Sequence, residues 1–185
     1  MRLYLFLLSL CATVTAFAQD DSSWEVNHYE HTRTFVEEGY TYQCDVKHGY
    51  VTLYNKDNKW TYADQIDKRT GKIFTTNLES STPVDENSVK VMLSIIDQAF
   101  SREEAQRIAD NSFMIILFIS PITGKVEEVC YNFFVFDACA KIPLSYYRDI
   151  EMKMKEKIHI QLTEEDKHLN FILLAGNHTP IGRPE

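Results

Sequence analysis

The sequence predicts an α+β protein: a β-rich N-terminal meander followed by a half ordered helix-helix-β-β-α-β. Three observations carry this. Tyr40, Tyr42, Cys44 and Val46 alternate with polar residues, the period of a half-buried strand. Val89, Met92, Leu93, Ile96 and Phe100 recur at spacings of three and four, the period of an amphipathic helix. The run "SFMIILFISPITGKVEEVCYNFFVF", Ser112 to Phe136, joins an unbroken apolar segment to an alternating one through a Pro/Gly turn.

The first residues, MRLYLFLLSLCATVTAFAQDD, place one charge, Arg2, before a short apolar run and end on Ala16-Phe17-Ala18. That order is a secretory signal peptide, cleaved after Ala18. Leu8-Ser9-Leu10-Cys11 has the outline of a lipoprotein box. Leu10 is too large for the position before the cysteine, so lipid attachment at Cys11 is the lesser reading. Residues 19–31 are polar and read as a flexible entry. From Thr32 to about residue 82 the chain reads as a β-rich region. Its strands are Tyr40–Val46 and Tyr50–Tyr54 around a Lys47-His48-Gly49 turn, then Trp60–Ile66 and Lys72–Thr76 around a second turn.

Residues 83–177 read as the second half. After the helix through Val89–Phe100, Ser101-Arg102-Glu103-Glu104 has the form of a capping box, opening a short helix to about Asp110. Phe113–Ile119 would span about 23 Å as a strand and only about 10 Å as a helix. The latter is far short of a bilayer, so the run is half of a β-hairpin and not a membrane span. Being apolar on both faces it belongs inside a sheet, while Val129–Val135 has one wetter face. Pro143 opens a helix whose apolar stripe is Tyr147, Ile150, Met154 and Ile158, and Leu169–Ala175 is the last strand. Residues 178–185 read as a tail. Asn177-His178-Thr179 is a formal glycosylation sequon, relevant only in a eukaryotic secretory route.

The chain has 185 residues, with 27 Asp and Glu against 19 Lys and Arg, a net charge of −8. Loss of residues 1–18 makes it one unit more negative. Nucleic acid is therefore an unexpected partner, since phosphate backbones require clustered cations. The mature form carries Cys44, Cys130 and Cys139. They are three buried thiols or one bridge plus a free thiol; Cys130–Cys139 is the pair closest in sequence. No motif of a known catalytic or cofactor site is present, so no catalytic, cofactor-binding or metal residue is assigned and no cofactor is expected.

Each chemical candidate has a plainer counterpart. His28-Tyr29-Glu30-His31 has metal-ligand types in polar surroundings that favour an ordinary solvated segment. Cys44 and His48 flank a turn as nucleophile and base would, but Cys44 also alternates with core aromatics. Glu127 and Glu128 are strand neighbours and face opposite sides. Glu164-Glu165-Asp166 reads as a solvated loop. Arg148, Lys153, Lys155 and Lys157 form a locally basic helix face, either steering an anionic partner or pairing along the helix as Glu151–Lys155 and Lys153–Glu156.

The phrases "SIIDQAFSREEAQRIADNSFMIILFISPITGKVEEVCYNFF" and "IPLSYYRDIEMKMKEKIHIQLT" resemble an uncharacterised family of small secreted Bacteroidetes proteins, a domain of unknown function. Ile122–Val129 and Ile142-Pro143 through Ile150–Lys153 carry the match. The strand, Gly turn, strand, helix, strand order of Phe113–Ala175 also resembles the C-terminal domain of TonB-type energy transducers. The first resemblance implies no activity. The second implies docking of an extended peptide on a sheet edge, without energy transduction, since a membrane anchor and a Pro-rich linker are missing. The expected function is thus a secreted or periplasmic, non-enzymatic binding protein with an envelope protein or peptide as partner, docked beside Leu169–Ala175. A structural envelope component and an enzyme or metal protein with a site assembled from distant residues are the alternatives.

Overall fold

A computed structural model describes residues 24–37, 39–74, 86–109 and 111–184. The signal-peptide reading, Cys11, Ala18, the first residues of the polar entry and the segment around Pro83 lie outside the described residues. The elements are β1 (Arg33–Glu37), β2 (Tyr40–Lys47), β3 (Tyr50–Asn55), β4 (Ile66–Asp67), β5 (Lys72–Ile73), α1 (Glu86–Ala99), α2 (Arg102–Arg107), β6 (Phe113–Ile119), β7 (Val126–Phe134), α3 (Leu144–Lys157) and β8 (Ile172–His178). The α+β class and the order of the second half are as the sequence predicts.

Six strands form one antiparallel sheet in the order β1-β2-β3-β7-β6-β8. The two halves of the chain are therefore joined in one sheet, where β3 pairs with β7 from Tyr50↔Phe134 to Tyr54↔Cys130. The β2–β3 hairpin turns through His48 (φ 53°) and Gly49 (φ 78°), two consecutive left-handed residues that match strand twist. At the β6–β7 turn Gly124 has φ 72°, and a Cβ there would lie 2.3 Å from the Ile160 carbonyl oxygen. That contact needs glycine: the Ile160 N–H donates to the Gly124 carbonyl at 2.9 Å.

On one face of the sheet α3 packs on β7 and on α1, and α1 joins the same core, its Met92 lying against Gly176 of β8. Tyr42, Cys44, Val51, Leu53, Leu117, Ile119, Val129 and Tyr131 are fully buried beneath them. Each buried large side chain contributes about 1.5–3 kcal/mol. The α3 stripe of Tyr147, Ile150, Met154 and Ile158 is buried as its spacing requires. Tyr131 donates to the Tyr147 carbonyl at 2.7 Å and Phe133 stacks on the Tyr147 ring. At α2 the capping box forms in full, with Ser101 and Glu104 satisfying each other's backbone N–H groups.

Four expectations need correction. The entry is not loose from Trp24 onward: Trp24 and Tyr29 are core residues, and Tyr29 donates to the Ile142 carbonyl at 2.9 Å. The stretch from Trp60 to Gln65 is loop, and β4–β5 pairs only Ile66↔Ile73 and Asp67↔Lys72. Here Trp60 stacks on Phe171, a contact across the sheet that replaces strand pairing. β7 has little wet face, since a second cluster of Phe118, Cys130 and Phe171 with Tyr54, Trp60 and Ile116 covers much of it. The tail begins later than expected: β8 runs to His178, and Asp97 on α1 then accepts from the His178 ring at 2.7 Å and the Ile181 N–H at 3.0 Å.

Candidate functional site

Among the described residues two places on the sheet are left uncovered. The first is its last strand. β8 reads ILLAGNH, pairs with β6 along Ile119↔Ile172 to Phe113↔His178, and ends the strand order. Sheet edges carry unpaired backbone donors and acceptors, and proteins usually blunt them with charge, Pro or bulges. β1 at the opposite edge is five residues long and carries Arg33 and Glu37. β8 is seven residues long and has no Lys, Arg, Asp, Glu or Pro. Leu173, Ala175 and Asn177 are exposed along it, Leu173 to 46%.

The second is a cleft of about 470 Å³ between β2, β3 and the loop after β3, lined by Gln43, Tyr54, Lys56, Asn58, Lys59, Thr61, Tyr62 and Ala63. Glu128 on β7 fixes the loop by accepting the backbone N–H groups of Lys59 and Trp60 at 2.8 and 2.9 Å, and Asn58 donates to the Val129 carbonyl at 2.9 Å. Beneath the cleft, Asp45 accepts the hydroxyls of Tyr54 and Tyr62 at 2.9 and 2.8 Å and the Gln43 amide at 2.8 Å. The two rings meet edge to face with centroids 5.7 Å apart. Burial pushes the Tyr54 phenol up to about 12, and the Asp45 carboxylate acts in the same direction. Tyr62 is raised too, by partial desolvation around its hydroxyl and by the bond to Asp45, although most of its ring is exposed. Both rings are neutral hydrogen-bond donors throughout the physiological range.

The other sequence candidates are dispersed. His31 lies 4.0 Å from Glu30 at the surface, and among the described residues no three His, Cys, Asp or Glu side chains are grouped as metal ligands. Cys44 faces the helix-covered core and its thiol points to the His31 carbonyl at 3.8 Å, while His48 is exposed in the hairpin turn. Cys44, Cys130 and Cys139 are buried free thiols, which settles the open question of a bridge. Desolvation raises Cys44 to about 11 and Cys130 and Cys139 to about 12, so none is an activated nucleophile. Glu127 is exposed and Glu128 buried, on opposite sides as strand geometry requires.

The basic face of α3 is largely paired. Lys155 meets Glu151 at 2.5 Å, Arg148 meets Glu151 at 3.2 Å, and Lys153 meets Asp149 at 2.6 Å in place of Glu156. Of the acidic loop, Glu164 pairs with Lys167 and Glu165 with Arg69, whereas Asp166 is buried and accepts the Thr163 N–H at 2.7 Å. Sequence reasoning missed the Asp45–Tyr54–Tyr62 arrangement and the Glu128 anchor. The alternation of Gln43 and Asp45 with Tyr42 and Cys44 put the former on the outer face. Only the β2–β3 register, Gln43↔Tyr54, brings the second ring beside them.

An antiparallel α+β sheet with one helix-covered face, an open edge strand and a tyrosine-walled cleft defines the class of protein. Residues 25–176 match the model of a domain of unknown function, DUF5043, and the chain belongs to that family. Among solved structures it is similar to a DUF5043 family protein from Bacteroides uniformis ATCC 8492, with a TM-score of 0.81 and 44% identity over 85% of this chain and 96% of that one. No curated protein matches it. The expected kinship with a Bacteroidetes family is thereby shown, while the likeness to TonB-type domains is carried no further by these comparisons. Among the described residues no helix is long and apolar enough to cross a membrane.

Proposed function

We propose that this protein is a non-enzymatic binding module of the cell envelope, exported by residues 1–18, that takes up an extended peptide segment of a partner as an added strand along β8. The observation that carries the reading is the seven-residue β8 edge, free of Lys, Arg, Asp, Glu and Pro. Main-chain hydrogen bonds would supply affinity and the exposed Leu173 and Ala175 positions would select alternate side chains. The buried, high-pKa thiols and the scattered carboxylates support a binding role over a catalytic one.

The test is selection from a displayed library of random peptides on the purified protein. Recovered binders are expected to be extended, with apolar residues at alternate positions. Leu173→Lys with Ala175→Lys, which charges the edge as natural sheets do, is expected to abolish their binding without changing the fold. Binders indifferent to that double variant, or no binders at all, would overturn the reading.

A further inference from the structure

The tyrosine-walled cleft is separate from β8 and has a chemistry of its own. Its volume lies in the ordinary range of small-ligand sites, about 300–1,000 Å³. What it offers a ligand follows from what its lining groups already spend. The Tyr54 and Tyr62 hydroxyl hydrogens go to Asp45, the Gln43 amide nitrogen goes to Asp45, and the Asn58 amide nitrogen goes to the Val129 carbonyl and Thr61. Glu128 is spent on two backbone N–H groups. Lys56 and Lys59 are exposed, and among the described residues neither forms an ion pair. The side-chain donors left over are thus the two ammonium groups and the Thr61 hydroxyl.

The rings add shape. Tyr62 is 67% exposed, and its hydroxyl bond to Asp45 fixes its orientation, so the ring stands as a preset platform at the cleft wall. A flat apolar ring face stacks on such a platform, and an anionic substituent meets the lysines. Because the platform is open to water, the far side of the ligand remains solvated. A hydroxylated ring tolerates that, whereas an aromatic acid would leave half its apolar surface exposed. From these three features together we infer that the cleft between β2, β3 and the Lys56–Ala63 loop binds an acidic saccharide, with a pyranose face on Tyr62 and its carboxylate between Lys56 and Lys59.

The experiment is calorimetric titration of the purified full chain with oligogalacturonates, with neutral oligogalactosides of equal length, and with tripolyphosphate as a ring-free anion. Oligogalacturonates are expected to bind at least about tenfold more tightly than either control, the equivalent of one ring contact or one charge-assisted hydrogen bond. Tyr62→Ala and, separately, Lys56→Met with Lys59→Met are each expected to weaken that binding about tenfold or more. All three side chains are exposed, so the fold tolerates both variants, and the thermal unfolding midpoint of each variant checks it. No binding, equal binding of either control, or binding that neither variant alters would overturn the inference.

Discussion

The hydroxyl of Tyr42, in the middle of β2, donates to the carboxylate of Glu151 on α3, and both side chains are fully buried. Arg148 and Lys155 reach the same carboxylate from the helix surface, and Arg148 lies over the Tyr40 ring at 5.1 Å. This polar cluster ties the N-terminal meander to the helix layer. Glu151→Ala leaves the buried Tyr42 hydroxyl without its acceptor, while Arg148 and Lys155 are partly exposed and turn to water, and it is expected to cost about 1–3 kcal/mol. Tyr42→Phe is expected to cost about 1–3 kcal/mol, for one buried acceptor short of a donor. Urea titration of each variant checks both values.

The same carboxyl gives a pH dependence. Burial raises Glu151 above its ordinary 4.5, and the Lys155 ammonium only partly offsets that. A raised carboxyl favours the folded state when protonated. Its contribution is therefore fully present below pH 4.5 and is lost as pH rises through the raised value. The stability of the natural protein relative to Glu151→Gln should fall as pH is raised from 4.5, measured by thermal unfolding at a series of pH values. A rise would show that the lysine and arginine pairs outweigh desolvation.

The three thiols should be silent in the native state. Cys44, Cys130 and Cys139 are buried and desolvation holds each pKa at about 11 or about 12, so little thiolate exists at neutral pH. An aromatic disulfide reagent is expected to release no colour from the folded protein at pH 8 and to count these thiols after guanidinium is added. Rapid native labelling of any of them would contradict the packing.

Gly124→Ala should be costly for two separable reasons. Its φ of 72° is left-handed, which alone costs about 1–3 kcal/mol for a residue with a side chain, and the new Cβ would meet the Ile160 carbonyl at 2.3 Å. Gly71, at φ 67° with nothing near its Cβ position, pays only the first. The paired variants, compared by denaturant midpoint, should rank Gly124→Ala as clearly the less stable.

Much of this fold was legible because its signals are local. The Tyr40–Val46 alternation, the Ser101–Glu104 box and the Gly124 turn each fix an element within a few residues, and all three stand as read. Glu151 was half legible. It was read at the surface through its pairing with Lys155, although its spacing of four from Tyr147 and three from Met154 carried the signal of burial. Trp24 and Tyr29 were misjudged because their neighbours are polar and their partners lie far along the chain, at Ile142 and Tyr146. Trp60 misled in the opposite sense, mimicking a strand residue while serving as a lid on Phe171. The cleft was illegible for the same reason: it exists only once β2, β3 and β7 are in register.

The claim that matters most is that β8 is a docking edge, and amide hydrogen exchange reads it directly. With a library-selected peptide bound, the backbone of Ile172–His178 should gain protection while β1, at the other edge, does not change. Protection that appears at β1 or around Tyr54 and Tyr62, with β8 unaltered, would contradict the account.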